Sequence, residues 1–217
     1  MEKMKAFCCW SGGKDGCLSL HRALKNYEIV YLVNMIAEDG KHSRTHGISS
    51  NLLKLQSESI GILIIQRKSS WENYEKEFKK ILHELKDEGI TVGIFGDIDL
   101  QEHRDWVERV CKETGITPVL PLWKEEREKL ITEFIDSGFK AIIVAANAKF
   151  LGEEWLGKEI SKNFVEDLKK LGNVDLCGEA GEYHTFVFDG PIFKRPVRIS
   201  TGKKIFKDNH WFLEINV

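Results

Sequence analysis

The stretch Phe7-Cys8-Cys9-Trp10-Ser11-Gly12-Gly13-Lys14-Asp15-Gly16 governs how the rest of this 217-residue chain is read. Before the glycines, Met4–Cys9 is an apolar run of strand length; after them, a helical segment spans about Cys17–Asn26. A strand, a glycine turn and a helix in that order predict a βα unit whose turn lies at the carboxyl end of a parallel strand, where open α/β sheets bind ligands. Two consecutive glycines let backbone N–H groups turn toward an anion with no Cβ in the way. The helix N-terminus adds partial positive charge. Ser11 contributes a hydroxyl and Lys14 a cation. Asp15 would repel a phosphate unless a metal intervened, so it points to Mg²⁺, with Asp15 as a ligand. A plain glycine-rich turn would carry the same residues, but the placement between strand and helix favours a phosphate site built from Ser11, Gly12, Gly13, Lys14, Asp15 and Gly16.

This loop is not of the GxxxxGK[ST] kind. That pattern is approached only at Gly152-Glu153-Glu154-Trp155-Leu156-Gly157-Lys158, where two carboxylates and the following Glu159 oppose phosphate and supply no neutral hydroxyl for a metal. A structural turn is expected there.

Outward from the loop, strand-like runs alternate with helix-period segments. Ile29–Ile36, Ile62–Gln66 and Thr91–Phe95 read as strands, and Asn51–Ile60 as a helix. Trp71, Tyr74, Phe78, Ile81, Leu82 and Leu85 recur at three and four, predicting an amphipathic helix over Ser70–Glu88 that stops at Gly89. Asp99 with Glu102 reads as a capping box for a helix closed by Gly115. Such alternation predicts βαβ units and a parallel sheet covered on both faces. The pattern changes near Thr117-Pro118. Helices over Trp123–Ser137 and Lys158–Leu171, a strand over Lys140–Ala146, and short strand-like runs at Phe186–Phe188, Val197–Ser200 and Trp211–Val217 follow. The expected fold is α/β, with residues 1–116 forming the parallel domain and 117–217 a smaller α+β subdomain that completes the site.

Composition narrows the function classes. Lys and Arg total 32 against 34 Asp and Glu, a net charge of −2, which argues against a dedicated nucleic-acid binder. Five cysteines without a CxxC pair exclude a zinc framework and fit reduced thiols. No 18-residue apolar stretch is present, so a membrane protein is not expected and a cytoplasmic one is. In the polar stretch after the second strand, His42, Arg44 and His46 could serve a lid or lie in plain loop. Cys17 falls in the first turn of a helix, where a thiol pKa can drop, but packing is the better reading without a visible partner.

Two further motifs carry chemistry. Ile94-Phe95-Gly96-Asp97-Ile98, continuing to His103-Arg104-Asp105-Trp106, ends another predicted strand. Cys177-Gly178-Glu179-Ala180-Gly181-Glu182-Tyr183-His184-Thr185-Phe186 brings two carboxylates and an imidazole together. Glu182 and His184 are two apart and would share one face if the stretch is extended. Solvated loop residues are the bland alternative, as helix capping is for Asp97.

Ser-Gly-Gly-x-Asp after a first strand resembles the PP-loop of ATP pyrophosphatases, which cleave ATP between the α and β phosphates. With Pro121-Leu122-Trp123, Leu156-Gly157-Lys158 and Asp189-Gly190-Pro191, the motifs resemble the diphthine–ammonia ligase family over nearly the whole chain. The resemblance implies a Rossmann-like fold of the adenine nucleotide α hydrolase kind, with ATP and Mg²⁺ as cofactors. It implies adenylation of the carboxylate of diphthine on elongation factor 2, then displacement of AMP by ammonia. At the chemistry the expected residues are Asp97, orienting ribose, metal or ammonia, with Glu179, Glu182 and His184: a carboxylate at Glu182 can take the proton of the attacking ammonia, an imidazole at His184 can donate to phosphate, and Glu179 would serve metal-dependent steps. Two departures stand out: Gly16 where the family usually has Ser or Thr, and Ala180 where it usually has Asn. They leave open a related pyrophosphatase with another acceptor, such as tRNA, or a nucleotide-binding module with weakened catalysis. A homodimer is also left open.

Overall fold

The computed structural model describes residues 3–43 and 48–217, so Arg44 and His46 lie outside the described residues. Strand β1 (Met4–Cys9) pairs in parallel with β2 (Tyr27–Ile36) and β4 (Val92–Ile94). Outside them lie β3 (Leu63–Lys68) and β5 (Thr117–Val119), also parallel, in the order β3-β2-β1-β4-β5. Alternate residues of a strand face opposite sides, and here both sides are dry. Ala6, Cys8 and Leu32 pack with Leu18, Leu20, Leu52 and Leu53 of helices α1 (Lys14–Ala23) and α2 (Ser50–Ile60). Phe7 and Val33 face the other way, onto Phe78, Ile81, Val107 and Val110 of α3 (Tyr74–Asp87) and α4 (Gln101–Thr114). Burial on both faces explains why the strands read as continuous apolar runs.

The remainder forms an antiparallel sheet of β6 (Lys140–Asn147), β7 (Tyr183–Asp189), β8 (Ser200–Lys207) and β9 (His210–Asn216), in the order β7-β6-β9-β8. Helices α5 (Arg127–Asp136) and α6 (Lys162–Leu171) accompany it. Phe134, Ile143, Phe186 and Val187 belong to the same buried cluster as Ala6, Leu18 and Leu53, so the second sheet shares the core on the α1–α2 side. The fold is α/β with an added α+β unit, as expected from the alternation of elements.

Local expectations change in five places. The parallel sheet runs past the expected boundary at residue 116, because β5 pairs with β4. The helix expected from Trp123 begins at Arg127, because Lys124 takes a left-handed conformation (φ 58°) that α-helix cannot continue through. The helix expected from Lys158 begins after Ser161, whose hydroxyl accepts from the Phe164 N–H at 3.2 Å. Asp99 does not cap α4: Leu100 is at the cap, and the Asp99 carboxylate accepts from Arg127 instead. Strand β8 is exposed throughout, so it shows no apolar alternation to betray it. No helix among the described residues is long and apolar enough to cross a membrane.

Candidate active site

The strand order reverses between β1 and β4, and a cleft of about 980 Å³ opens beside their carboxyl ends. Its floor is the glycine loop. Gly12 is left-handed (φ 79°), and a Cβ there would lie 2.5 Å from Leu53 Cδ2 and 2.7 Å from Gln56 Oε1. The Gly12 carbonyl accepts from Gln56 Nε2 and from the Val187 N–H, both at 3.0 Å. Gln56, fully buried in α2, also accepts from Trp10 Nε1 at 3.0 Å and donates to the Val187 carbonyl at 2.6 Å. One amide thus holds the loop to both halves of the chain. At Gly13 a Cβ would meet the Thr185 carbonyl at 3.3 Å, while Thr185 Oγ1 accepts from the Lys14 N–H at 3.0 Å. Glycine at 12 is therefore demanded by packing, and a side chain at 13 would press on the Thr185 carbonyl. The other N–H groups of the first turn of α1 have no intrahelical carbonyl to pair with, which is what suits a helix start to an anion.

Lys14 and Asp15 are joined. The Lys14 ammonium is buried, donates to both Asp15 oxygens (2.9 and 2.7 Å), and lies 5.6 Å from the Tyr183 ring centre. Burial works against its charge, but the neighbouring Asp15 carboxylate more than compensates, so its pKa is raised and it stays cationic. Asp15 therefore needs no metal to be tolerated near a phosphate, which corrects the argument from repulsion. Among the described residues no three His, Cys, Asp or Glu converge as a metal cage. Mg²⁺ is commonly held by one or two carboxylates together with substrate phosphates, and Asp15 on the rim of the loop fits that mode.

The β4 motif reaches the same cleft. A Cβ on Gly96 would sit 3.2 Å from the backbone of Asp15 and Gly16, so glycine allows β4 to close against α1. Asp97 lines the cleft and pairs with His103 Nδ1 at 3.2 Å, which raises the imidazole pKa. Glu179 and His184 line the same cleft. Glu179 Oε1 accepts from the Ile98 N–H at 3.0 Å, yet burial, reinforced by Asp15, holds its carboxyl above the ordinary range. Burial, with the charges of Lys14 and His210, holds His184 down to about 4, leaving a neutral imidazole at pH 7.

Glu182 does not join them. It is buried outside the cleft lining, with Oε1 accepting from the Asp175 N–H at 3.3 Å and Oε2 without a hydrogen-bond partner. The strand begins only at Tyr183, and left-handed Gly181 (φ 85°) turns the chain just before it. The expected alternation of Glu182 with His184 into one cleft is therefore broken. His42 pairs with Asp39 and lines a separate groove, away from the main cleft. Cys17 is fully buried and burial pushes its thiol up, a packing residue. The sequence Gly152–Lys158 forms a short 3₁₀ turn with Lys158 stacked 3.8 Å over Trp155, not a phosphate loop.

Gln56 and an aromatic arm of the cleft were not foreseen, nor was the bond by which Thr185, within the quoted motif, accepts from the Lys14 N–H. In that arm Trp71, Tyr74 and Trp106 join Phe78, with neighbouring ring centres 5.4–6.3 Å apart. Their helical spacing reads as core, and only tertiary placement shows ring faces lining a site.

Gly16 has room for a side chain: its Cβ would find Cys9 O at 3.7 Å and Ser11 Oγ at 4.0 Å, ordinary contacts. Gly16→Ser is accordingly expected to raise ATP affinity several-fold, by about 0.5–1.5 kcal/mol for one added hydrogen bond. Calorimetric titration checks this; weaker binding would mean that the hydroxyl has no phosphate to meet.

The comparisons with known proteins agree with this architecture. Residues 4–118 match the diphthamide synthase N-terminal domain and residues 126–217 the diphthamide synthase C-terminal domain. Diphthine–ammonia ligase of Schizosaccharomyces pombe is 30% identical across 93% of this chain, which spans 37% of that protein. The same-named proteins of Rattus norvegicus and Danio rerio are 28% and 26% identical, with 85% and 90% of their lengths covered. A solved structure described as a predicted subunit of tRNA methyltransferase from Methanocaldococcus jannaschii covers 89% of the chain at 17% identity. Its TM-score of 0.46 is too low to bear on function. With both of its domain models matched in order along the chain, this protein belongs to the diphthamide synthase family.

Proposed function

We propose that this protein is an ATP-dependent ligase that converts the carboxylate of diphthine on elongation factor 2 to its amide, using ammonia. One observation carries the reading: the glycine loop with its buried lysine lines the same cleft as Glu179 and His184. The loop N–H groups and Lys14 would hold the β and γ phosphates. An acceptor carboxylate oxygen then attacks the α phosphorus; the new P–O bond forms as the bond to the bridging oxygen breaks, and pyrophosphate leaves. Lys14 and the first-turn N–H groups are placed to take up the charge that develops on that leaving group. Bound through Asp15 and the phosphates, Mg²⁺ would supply further neutralisation there. In the second half, the ammonia lone pair attacks the acyl carbon, and the bond from that carbon to the phosphate oxygen of AMP breaks. The nitrogen sheds a proton, for which the buried Glu179 is our candidate acceptor, and neutral His184 can relay a proton to the departing phosphate. The Trp71, Tyr74 and Trp106 ring faces suit a flat base.

The test uses purified elongation factor 2 bearing diphthine, ATP and ¹⁵N-ammonium. Nitrogen-15 is expected in the acceptor's amide, in an amount matching the ATP consumed. ATP consumption without label in the acceptor would overturn the assignment of acceptor and nucleophile.

A further inference from the structure

We propose that Arg127, which lies outside the cleft, is a positioning residue that sets the spacing of the cleft's two carboxylate-bearing segments. This deepens the ligase reading and, for its effect on turnover, rests on it.

The segments concerned are Asp97-Ile98-Asp99, which leaves β4, and Asp175 to Glu182, which leads into β7. Neither lies in a helix or strand, so neither is fixed by a ladder of its own. They carry Asp97 and Glu179, and what holds them in register is a small set of bonds. Glu179 Oε1 accepts from the Ile98 N–H at 3.0 Å, and the Ile98 carbonyl accepts from the Lys124 N–H at 2.7 Å. Arg127 supplies the rest. Its Nε donates to Asp175 Oδ2 at 2.7 Å, and one terminal nitrogen donates to Asp99 Oδ1 at 2.6 Å. Asp99 is two residues from Asp97, and Asp175 four from Glu179.

The Asp175 end is tied further. Its second oxygen accepts from the Cys177 N–H at 2.6 Å, and its own N–H donates to the buried Glu182. Glu182, buried outside the cleft lining, thus supports the same loop from behind. Arg127 itself opens α5, and α5 is docked on α1 through Arg22, which pairs with Glu133 and Glu125. The guanidinium therefore links two irregular segments to a rigid element that reaches back to the phosphate loop.

The bland reading is a surface ion pair, and such pairs contribute little. Against it, the Arg127 side chain is only 21% exposed and spans two carboxylates from different parts of the chain. A planar fork with fixed donors can hold both at once; a lysine ammonium is a single point on a flexible stem. Arg127, Asp99 and Asp175 do not line the cleft, so their effect on it passes through the two segments that carry Asp97, Cys177 and Glu179; Cys177 Sγ also donates to the Arg127 carbonyl at 3.4 Å. The ATP loop is held separately, by Gln56 and Thr185.

Arg127→Gln and Arg127→Lys in the full-length protein provide the test. For Arg127→Gln, kcat is expected to fall by about 10²-fold, the scale of an ångström-sized misplacement of catalytic groups. The KM for ATP should stay within about twofold, since nothing in the phosphate loop is touched. Arg127→Lys should fall between the two. A second readout does not depend on the reaction: the His103 imidazole, followed by NMR and assigned with His103→Gln. Its pKa is raised chiefly by Asp97, with help from Glu179 and Glu102, and in Arg127→Gln it should drop toward the ordinary value of about 6.5. If the wild-type enzyme fails to amidate diphthine, the ligase reading fails, while the His103 titration still decides whether Arg127 sets the spacing. Wild-type kcat together with an unmoved His103 titration would overturn the proposal. So would loss of ATP binding in parallel with activity, which marks a general structural role. Should Arg127→Gln not fold, Asp99→Asn removes one arm only, and a His103 pKa unchanged in that variant would overturn the proposal equally.

Discussion

Lys14→Met is expected to lower the rate of AMP formation by about 10²–10³-fold, the loss usual when one preorganised charge donor at a developing anion is removed. The substitution acts twice. It takes away the buried cation at the phosphate loop, and it leaves the Asp15 carboxylate without the ammonium that now binds both its oxygens. An unpaired carboxylate on the rim then opposes the very phosphate that the loop should attract, so ATP affinity should fall as well. A charge-assisted hydrogen bond is worth about 1.5–3 kcal/mol, which corresponds to a 10- to 150-fold weaker Kd. The double variant Lys14→Met with Asp15→Asn separates the two effects. Removing the carboxylate should restore part of the affinity but little of the turnover. Calorimetry for binding and chromatographic AMP analysis for turnover check both; unchanged affinity in Lys14→Met would show that phosphate is bound elsewhere.

Glu179→Gln should retain the fold and ATP binding while amide formation falls about 10²-fold, the scale of a lost general base. The amide oxygen can still accept from the Ile98 N–H, so the Asp97–Asp99 segment keeps that contact. The pH dependence gives a sharper signature. A base works only when ionised, and burial raises the Glu179 pKa. Activity should therefore be full above that pKa and decline as pH falls through it, on a limb above the ordinary glutamate value of about 4.3. In Glu179→Gln that limb should disappear from the residual activity. Loss of the limb in Glu182→Gln instead, with Glu179→Gln active, would return the proton-acceptor role to Glu182.

The glycine loop was legible because its residues are contiguous. Strand, glycines, cation and helix start all fall within residues 4–23, and each follows from local geometry. The parallel sheet was legible for a related reason: strands buried on both faces announce themselves as apolar runs. What escaped is carried by pairs far apart in the chain. Gln56 meets Val187 across 131 positions, and Thr185 meets Lys14 across 171. A glutamine on the apolar face of α2 was the only local sign of the first. Glu182 misled because an alternation argument holds only where the chain is already extended, and the extension begins one residue later. Arg127 was hidden by a helix start placed four residues early, at Trp123. The left-handed Lys124 that delays the helix is not a residue type from which such a conformation is expected.

The central claim is that the acceptor carboxylate is activated by transfer of AMP, and the oxygen balance tests it most directly. Diphthine on elongation factor 2 is labelled with ¹⁸O in its carboxylate and incubated with the protein, ATP and ammonium. If a carboxylate oxygen attacks the α phosphorus and ammonia then displaces AMP, one ¹⁸O must leave with the phosphate of AMP for every amide formed. Mass spectrometry of the recovered nucleotide should show that label in AMP, with none in pyrophosphate. AMP free of label, or ¹⁸O in orthophosphate beside ADP, would contradict the account.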